Sequence, residues 1–485
     1  MDNSVKKHKM KVIDMTEGNP IRLILAFTIP LFIGNIFQQV YSMVDTMVAG
    51  YNLGDNAIAA IGATSSLYAL IIDLAAGLNS GYAIVVTQRF GAHDMKKLRE
   101  SVAGMIELDV VVTVVLTVLS LIFLKPLMRF MNTPDAIFEE AYSYIAVICA
   151  GMISAICYNM FAGVLRAVGN SRTSLYFLII SSVLNMGMDL FFIVVLKMGV
   201  AGAALATVIA QTASAVLCGI YVFKNYRSVL PGGMDFHVSG EILSQLFSHG
   251  FAMALMLCVV DLGSVIFQRA NNTLNEMIIS AHTASRRIIG IMMQPLATIA
   301  TACSTFVGQN WGAKKTKRIQ SALKQVLGME IAWALFSGVL VFALGGVLVR
   351  FTTGTSDSGI VDNAVMSLRW HFAFFPALGC LLALRTAMQA MGKKIAPIIS
   401  SCLELGMKLL SAAFLIPRLG FFGTSITEPI TWTIMLLFLI AAYYTIKKKL
   451  FTYKEGGERV MTEPEKMKDK RVVKAAPYGT RAQLL

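Results

Sequence analysis

Charge is what this 485-residue chain has least of: 14% of its residues are Asp, Glu, Lys or Arg, where soluble domains carry about a quarter. Together with 56% apolar residues and a mean hydropathy of +0.66, that shortage excludes a water-soluble globular protein and implies a polytopic membrane protein. Cysteine is sparse as well. The seven, Cys149, Cys157, Cys218, Cys258, Cys303, Cys380 and Cys402, lie in apolar runs with no C-x-x-C pair. They read as small buried residues and suggest neither a disulfide framework nor a zinc site. The chain has no G-x-x-x-x-G-K-[ST] segment, which argues against an ATP-driven pump. No cluster of nucleophile, acid/base or metal-ligating residues stands out, so an enzyme and a bound cofactor are both disfavoured. No basic patch is interleaved with aromatics on a soluble domain, which argues against nucleic acid as a partner. The net charge of +14 is instead a matter of topology and of contact with anionic lipid. Nor is there a cleavable signal peptide at the polar, basic start, and the first span is expected to stay as a signal-anchor.

What is present is a succession of apolar stretches, each long enough for the roughly 20 residues a bilayer span requires. About twelve are expected, near 21–50, 55–88, 99–128, 136–165, 173–196, 199–224, 242–269, 276–309, 320–350, 360–390, 395–417 and 423–447. Turn chemistry falls between many of them, as in Asn132–Asp135, Pro231–Gly233 and Thr353–Asp357. Basic residues concentrate on one set of loops: Lys6, Lys7, Lys9 and Lys11, then Arg89, Lys96, Lys97 and Arg99, then Lys314, Lys315, Lys317 and Arg318, then Lys447 to Lys449. The positive-inside rule therefore puts both termini in the cytoplasm of a cell (inner) membrane protein, in agreement with an even number of spans.

The chain repeats itself. Val86–Ala92 (VTQRFGA) recurs as Val307–Ala313 (VGQNWGA), and Ile58–Ala63 recurs as Ile279–Ala284. Ile179–Leu190 (IISSVLNMGMDL) recurs as Ile398–Leu409 (IISSCLELGMKL). Three blocks in one order define two six-span halves of parallel orientation, the plan of some transporters with a cavity between the halves. The expected organisation is a cytoplasmic segment 1–20, an N-terminal bundle 21–224, a cytoplasmic loop 225–241, a C-terminal bundle 242–447 and a poorly ordered cytoplasmic tail 448–485.

Several spans carry polar groups at helical spacing. In the first, Asn35, Gln38, Gln39, Ser42 and Thr46 form a stripe with Asp45 at its edge. In the fifth, Ser182, Asn185 and Asp189 share a face, and in the sixth Thr207, Gln211, Ser214 and Cys218 do. An acidic side chain at mid-membrane costs about 2.5–3.5 kcal/mol on insertion scales, so Asp45 and Asp189 must face a protein interior or a wet cavity. Asp45, Asn185, Asp189 and Thr207 together offer two carboxylates, an amide and a hydroxyl. That set suits a hard cation such as Na⁺, and two close carboxylates also share a proton readily. The plainer reading of Asn185 or Thr207 alone is a helix–helix hydrogen bond. Asp73, Glu107, Asp109, Asp261, Glu330 and Glu428 also lie within spans, and Arg286 and Arg287 in the eighth need partners. Glu404 and Lys408 stand at the repeat positions of Asn185 and Asp189, four residues apart in the order that favours an ion pair, so coupling is expected to be lopsided. His282 and His371 read as hydrogen-bonded core residues. Pro30, Pro295, Pro376 and Pro397 are positions where a span can bend.

The two-half plan, Q-x-x-Y-x-x-V-D-T in the first span (Gln38–Thr46), L-N-x-x-x-D in the fifth (Leu184–Asp189) and the repeated Q-x-x-G-A at Gln88 and Gln309 resemble the multidrug and toxic compound extrusion transporters over about residues 20–447. The resemblance implies an all-α integral membrane fold, two pseudo-symmetric six-helix bundles around a V-shaped central cavity. It implies exchange of lipophilic, often cationic, organic compounds for Na⁺ or H⁺. It places the coupling cation at Asp45, Asn185, Asp189 and Thr207. Gln38, Gln39, Tyr41 and Asp261 are the candidates for the substrate cavity. Small organic molecules and membrane lipids are the expected partners, with the protein functioning as a monomer. The alternative from the same superfamily is a flippase for lipid or lipid-linked oligosaccharide, for which Arg286 and Arg287 are the one hint.

Overall fold

The computed structural model describes residues 13–131, 133–355 and 357–450, without the side chains of Ser42, Thr46, Asp55, Ser66, Lys449 and Leu450. The expectations for the first dozen residues and for the tail beyond Leu450 lie outside the described residues. The described part is helical, with no strand. In order it consists of α1 (Pro20–Leu53), α2 (Asp55–Gly91), α3 (Met95–Phe130), α4 (Asp135–Ala150), α5 (Met152–Ala167), α6 (Ser171–Asp189), α7 (Gly199–Asn225), α8 (Gly240–Asn271), α9 (Glu276–Gly312), α10 (Thr316–Thr353), α11 (Ser358–Ala373), α12 (Phe375–Ala390), α13 (Ile395–Leu410), α14 (Ile416–Leu419) and α15 (Phe421–Leu450). Ten helices, some with their π extensions, are long and apolar enough to cross a membrane, or twelve spans when α4 with α5 and α11 with α12 each count as one bent span. Residues to Leu439 form one compact unit; a second begins at Ile440 and includes the end of α15.

The spans are helical because hydrocarbon offers backbone groups no partner, so each must be satisfied within its own segment. Their outer faces are apolar. On α3, Val111, Val114, Val118 and Ile122, spaced three and four apart, are all exposed, a surface made for lipid. Cysteine follows the same logic: Cys149, Cys218 and Cys303 are buried, whereas Cys402 is exposed, contrary to the expectation that all seven are buried. A small apolar thiol meets hydrocarbon without penalty, so burial is not required of it.

Two expected single spans are broken. The fourth turns by 46° at Gly151, and the tenth by 49° between Ala373 and Phe375. Pro376 lies in the first turn of α12, where a missing N–H costs no intrahelical bond, and it cannot donate back into α11, so the helix restarts there. The fifth span widens into a π-helical stretch, Leu190–Val195, directly after Asp189, and the eleventh into another, Ser411–Leu415, directly after Leu410. The backbone thus repeats where the sequence does. Left-handed residues pair up in the same way: His93 (φ 55°) with Lys314 (57°), Gly169 (83°) with Gly392 (76°), and Lys197 (52°) with Gly420 (56°).

The halves meet along α1 and α2 on one side and α8 and α9 on the other. Helix α8 enters the packing of the first half, where Ile242, Leu246 and Ala254 share a core with Tyr82, Val86, Leu98 and Met105. At the end of the seam bearing the basic turns, the two Q-x-x-G-A motifs lock reciprocally. Gln88 Nε2 donates to the Ala390 carbonyl at 2.7 Å, and Gln309 Nε2 donates to the Ala167 carbonyl at 2.8 Å. A Cβ on Gly91 would fall inside the backbone of Gln309, and one on Gly312 inside that of Gln88. Only glycine permits this approach, as in small-residue contacts between membrane helices generally. The segment before α1 is strapped to the same place. Met15 N–H donates to Gln309 Oε1 at 2.8 Å, Asn310 Nδ2 donates to the Met15 carbonyl at 3.0 Å, and Arg318 Nη2 donates to the Glu17 carbonyl at 2.8 Å.

Gly312→Ala is expected to lower stability by about 1–3 kcal/mol, the range for overpacking a tight contact. Gly290→Ala, facing open space on the same helix, is expected to cost nothing. Thermal melts of the two purified variants in detergent check the difference.

Candidate functional site

Helix α6 begins with Asn170, whose side chain accepts from Thr173 N–H at 3.1 Å, and it ends at Asp189. It packs against α7 through reciprocal bonds: Ser181 donates to the Ala210 carbonyl at 2.8 Å, and Ser214 to the Phe177 carbonyl at 3.0 Å. Those contacts fix the register that places Asn185 against Thr207, with Nδ2 donating to Oγ1 at 3.5 Å. Helix α1 packs on α6 and brings Asp45 beside Asp189. Asp189 and Asn185 are fully buried, and Thr207 is buried.

Among the described residues no donor reaches most of the oxygens there. Asp45 Oδ1, Asn185 Oδ1 and both oxygens of Asp189 are buried without a hydrogen-bond partner among the described residues. A buried charge left unpaired costs several kcal/mol, so these oxygens suit a group that carries positive charge. A Na⁺ ion bound by oxygen, or a proton held between the two carboxyls, meets that need.

A cavity of about 240 Å³ adjoins the pair, lined by Gln38, Tyr41, Tyr68, Asp73, Asn185 and Thr207 among others. Gln38 and Tyr41 are thus part of its wall. Gln39 is exposed and lies outside this cavity, because the next residue is turned about 100° around the helix. Asn35 lies on the expected stripe, away from the edge that Asp45 occupies. Its amide faces the other half, donating to Gln294 Oε1 at 3.5 Å and to Thr298 Oγ1 at 3.4 Å. Ten residues separate it from Asp45, which leaves the two roughly 80° apart around the axis. The side chains of Ser42 and Thr46 are not among those described. Asp261 lines neither of the cavities described here; it stands near Asp73 across the seam and near Lys408 and Glu404 on its own side.

The second half carries the same scaffold with different chemistry. Lys408 Nζ donates to Glu404 Oε1 at 2.9 Å and to Ser264 Oγ at 3.0 Å. Arg385 lies 3.9 Å from the Glu404 carboxylate. Arg286, whose partner the sequence did not reveal, grips Glu428 at 2.6 and 2.7 Å, and His371 Nε2 lies 3.3 Å from the same carboxylate. His371 Nδ1 bonds the Ser367 carbonyl at 2.7 Å, and His282 packs edge-on between Phe267 and Phe421. Sequence reasoning missed Tyr68, Tyr158 and Arg166. Tyrosines in apolar spans give no periodic signal, and an arginine at a span end looks like an ordinary topogenic charge.

Up to twelve spans, a doubled scaffold and polar cavities on its inner faces define a multi-pass membrane transporter. The chain belongs to the MatE family, whose profile matches residues 30–191 and again 252–414, once in each copy of the repeat. It is 25% identical over 390 residues to the probable multidrug resistance protein YpnP of Bacillus subtilis (strain 168), covering 80% of this chain and 87% of that protein. It is 21% identical to the FAD transporter of Shewanella oneidensis, over 88% of this chain and 94% of that one. In three dimensions it matches a multidrug resistance MATE family transporter of the MOP superfamily, solved in an outward-facing conformation, with a TM-score of 0.84, 22% identity, and coverage of 91% and 99% of the two chains.

Two adjacent carboxylates repel each other at alkaline pH when no cation lies between them. Asp45→Asn is expected to raise the melting temperature there by a few degrees, and to abolish any further rise on adding NaCl over choline chloride. Melts of both proteins in the two salts check this.

Proposed function

We propose that the protein is a cation-coupled antiporter that exports organic compounds by alternating access. The observation that carries the reading is the meeting of Asp45 and Asp189 inside the first half, beside Asn185 and Thr207, with four buried oxygens that have no donor among the described residues. An ion that binds there must bind the two access states with different affinity, or it drives nothing. The π-helical stretch after Asp189 is a local break at which α6 can readjust between states. The other half, with Glu404 already neutralised by Lys408, offers no equivalent cation site. Coupling therefore belongs to one half only.

Tyr41 and Tyr68 with Asp73 suit a lipophilic cation, by ring faces and by charge. The names of the bacterial relatives agree with drug export, and the flavin carrier among them widens the range of organic substrates the scaffold serves. The basic turns at the latched end support a cytoplasmic location for that end and for both termini. With that end closed, the seam would be shut toward the cytoplasm. A flippase for lipid diphosphates is less well supported, because Arg286 is engaged by Glu428.

Membrane potential adds about 2.3 kcal/mol per charge per 100 mV, a contribution that cancels in a one-for-one exchange of monovalent cations. Efflux of a fluorescent cationic dye from vesicles is expected to require an inward Na⁺ or H⁺ gradient and to fall about tenfold or more in Asp45→Asn and in Asp189→Asn, the loss of one charge-assisted contact. Transport that ignores both gradients would end the antiport reading. Undiminished efflux in both variants would end the assignment of the site.

A further inference from the structure

A second cavity, of about 260 Å³, lies on the seam between the halves, just inside the reciprocal glutamine latch. Its walls come from α1, α2 and α5 on one side and from α8, α9 and α12 on the other. Its chemistry is the reverse of the acid pair's. Arg166, in the last turn of α5, lines it. Among the described residues Arg166 makes no ion pair and no side-chain hydrogen bond, and its closest ionisable neighbours are Tyr158 and Cys218 rather than any acid. Ser80 of α2 and Ser304 of α9 line the same cavity, and neither hydroxyl donates to a protein acceptor. The other wall hydroxyls are already spent on their own helices, as Thr87 is on the Ala83 carbonyl and Thr386 on that of Leu382.

The end of α5 accounts for part of this. A helix C-terminus presents about half a negative charge and favours a cation nearby. The repeat shows what full compensation looks like. Arg385, at the matching place in α12, has the Glu404 carboxylate at 3.9 Å. At the position of Glu404 the first half has Asn185, whose amide is turned to Thr207. The guanidinium of Arg166 is thus left without the anion its counterpart enjoys, and it faces a space that two free hydroxyl donors also face.

We propose that the seam cavity is an oxyanion-binding site, in which Arg166, Ser80 and Ser304 take up a carboxylate or phosphate group of an organic ligand. A guanidinium is the side chain best matched to either group, through two parallel N–H bonds. The volume admits a group the size of benzoate. The site is a matter of binding alone and stands apart from whatever drives transport. It widens the ligands this protein accepts to acidic and zwitterionic molecules.

Calorimetric titration of the full-length protein in detergent, without any ion gradient, tests it with benzoate, phenyl phosphate and neutral benzamide. Benzoate or phenyl phosphate is expected to bind at least about tenfold more tightly than benzamide, as a charge-assisted pair requires. Preference between the two anions tells a carboxylate site from a phosphate site. Arg166→Gln is expected to weaken the anion about tenfold or more and leave benzamide unchanged. Arg166→Lys and Ser304→Ala are expected to weaken it less, and they serve if Arg166→Gln does not fold. Arg287→Gln, at an exposed arginine, is expected to bind as the native protein does. Equal affinity for benzoate, phenyl phosphate and benzamide in the native protein would overturn the proposal. So would anion affinity unchanged across all the Arg166 and Ser304 variants.

Discussion

Two helices from different halves approach until only a hydrogen atom fits between them, and the rest of the molecule is arranged around that approach. At Gly91 and Gly312 the backbone of one copy rests on the backbone of the other. In hydrocarbon, apolar side chains gain little from leaving lipid, so close packing and interhelical hydrogen bonds must hold helices together. The glutamines three residues before these glycines supply such bonds, each amide donating to a carbonyl of the opposite half. Gln309 also accepts from Met15, which ties the chain's entry segment to the same junction. Any movement that opens this end must break all of these contacts together, which makes the junction a natural two-state element.

The repeat gives both halves one scaffold and then diverges in what it carries. The left-handed turns, the bent spans and the π-helical stretches recur. The ionisable groups do not. Asn185 and Asp189 in one half answer to Glu404 and Lys408 in the other, and Arg166 answers to Arg385. In the second half, acid and base sit side by side and satisfy one another. In the first half, among the described residues, the carboxylates gather without a donor, and the guanidinium stands without an acid. Charges that close on one another in the second half have no such partners among the described residues of the first.

Much of the architecture was legible in the chain. Spans of twenty or more apolar residues have one stable form in lipid, so their number and helical character followed from composition alone. The repeated blocks at Gln88 and Gln309 marked the doubling. Spacing placed Asn185 and Asp189 on one face, and the scarcity of charge made Asp45 conspicuous. The breaks at Gly151 and beside Pro376 were less visible, because a single glycine or proline leaves a span's hydropathy unchanged.

By itself, then, the sequence determined a doubled, all-helical membrane protein and singled out the acids within its spans. Tertiary structure alone decided which of those groups meet. Asp45 reaches Asp189, while Asn35, on the same helix, turns to the other half. Arg286 finds Glu428, 142 residues away, and Arg166 finds no acid among the described residues. Periodicity reports the direction of a side chain around its own axis. Whether the space it points into holds a partner, a ligand or lipid depends on how the helices are rotated against one another, and that is set by packing.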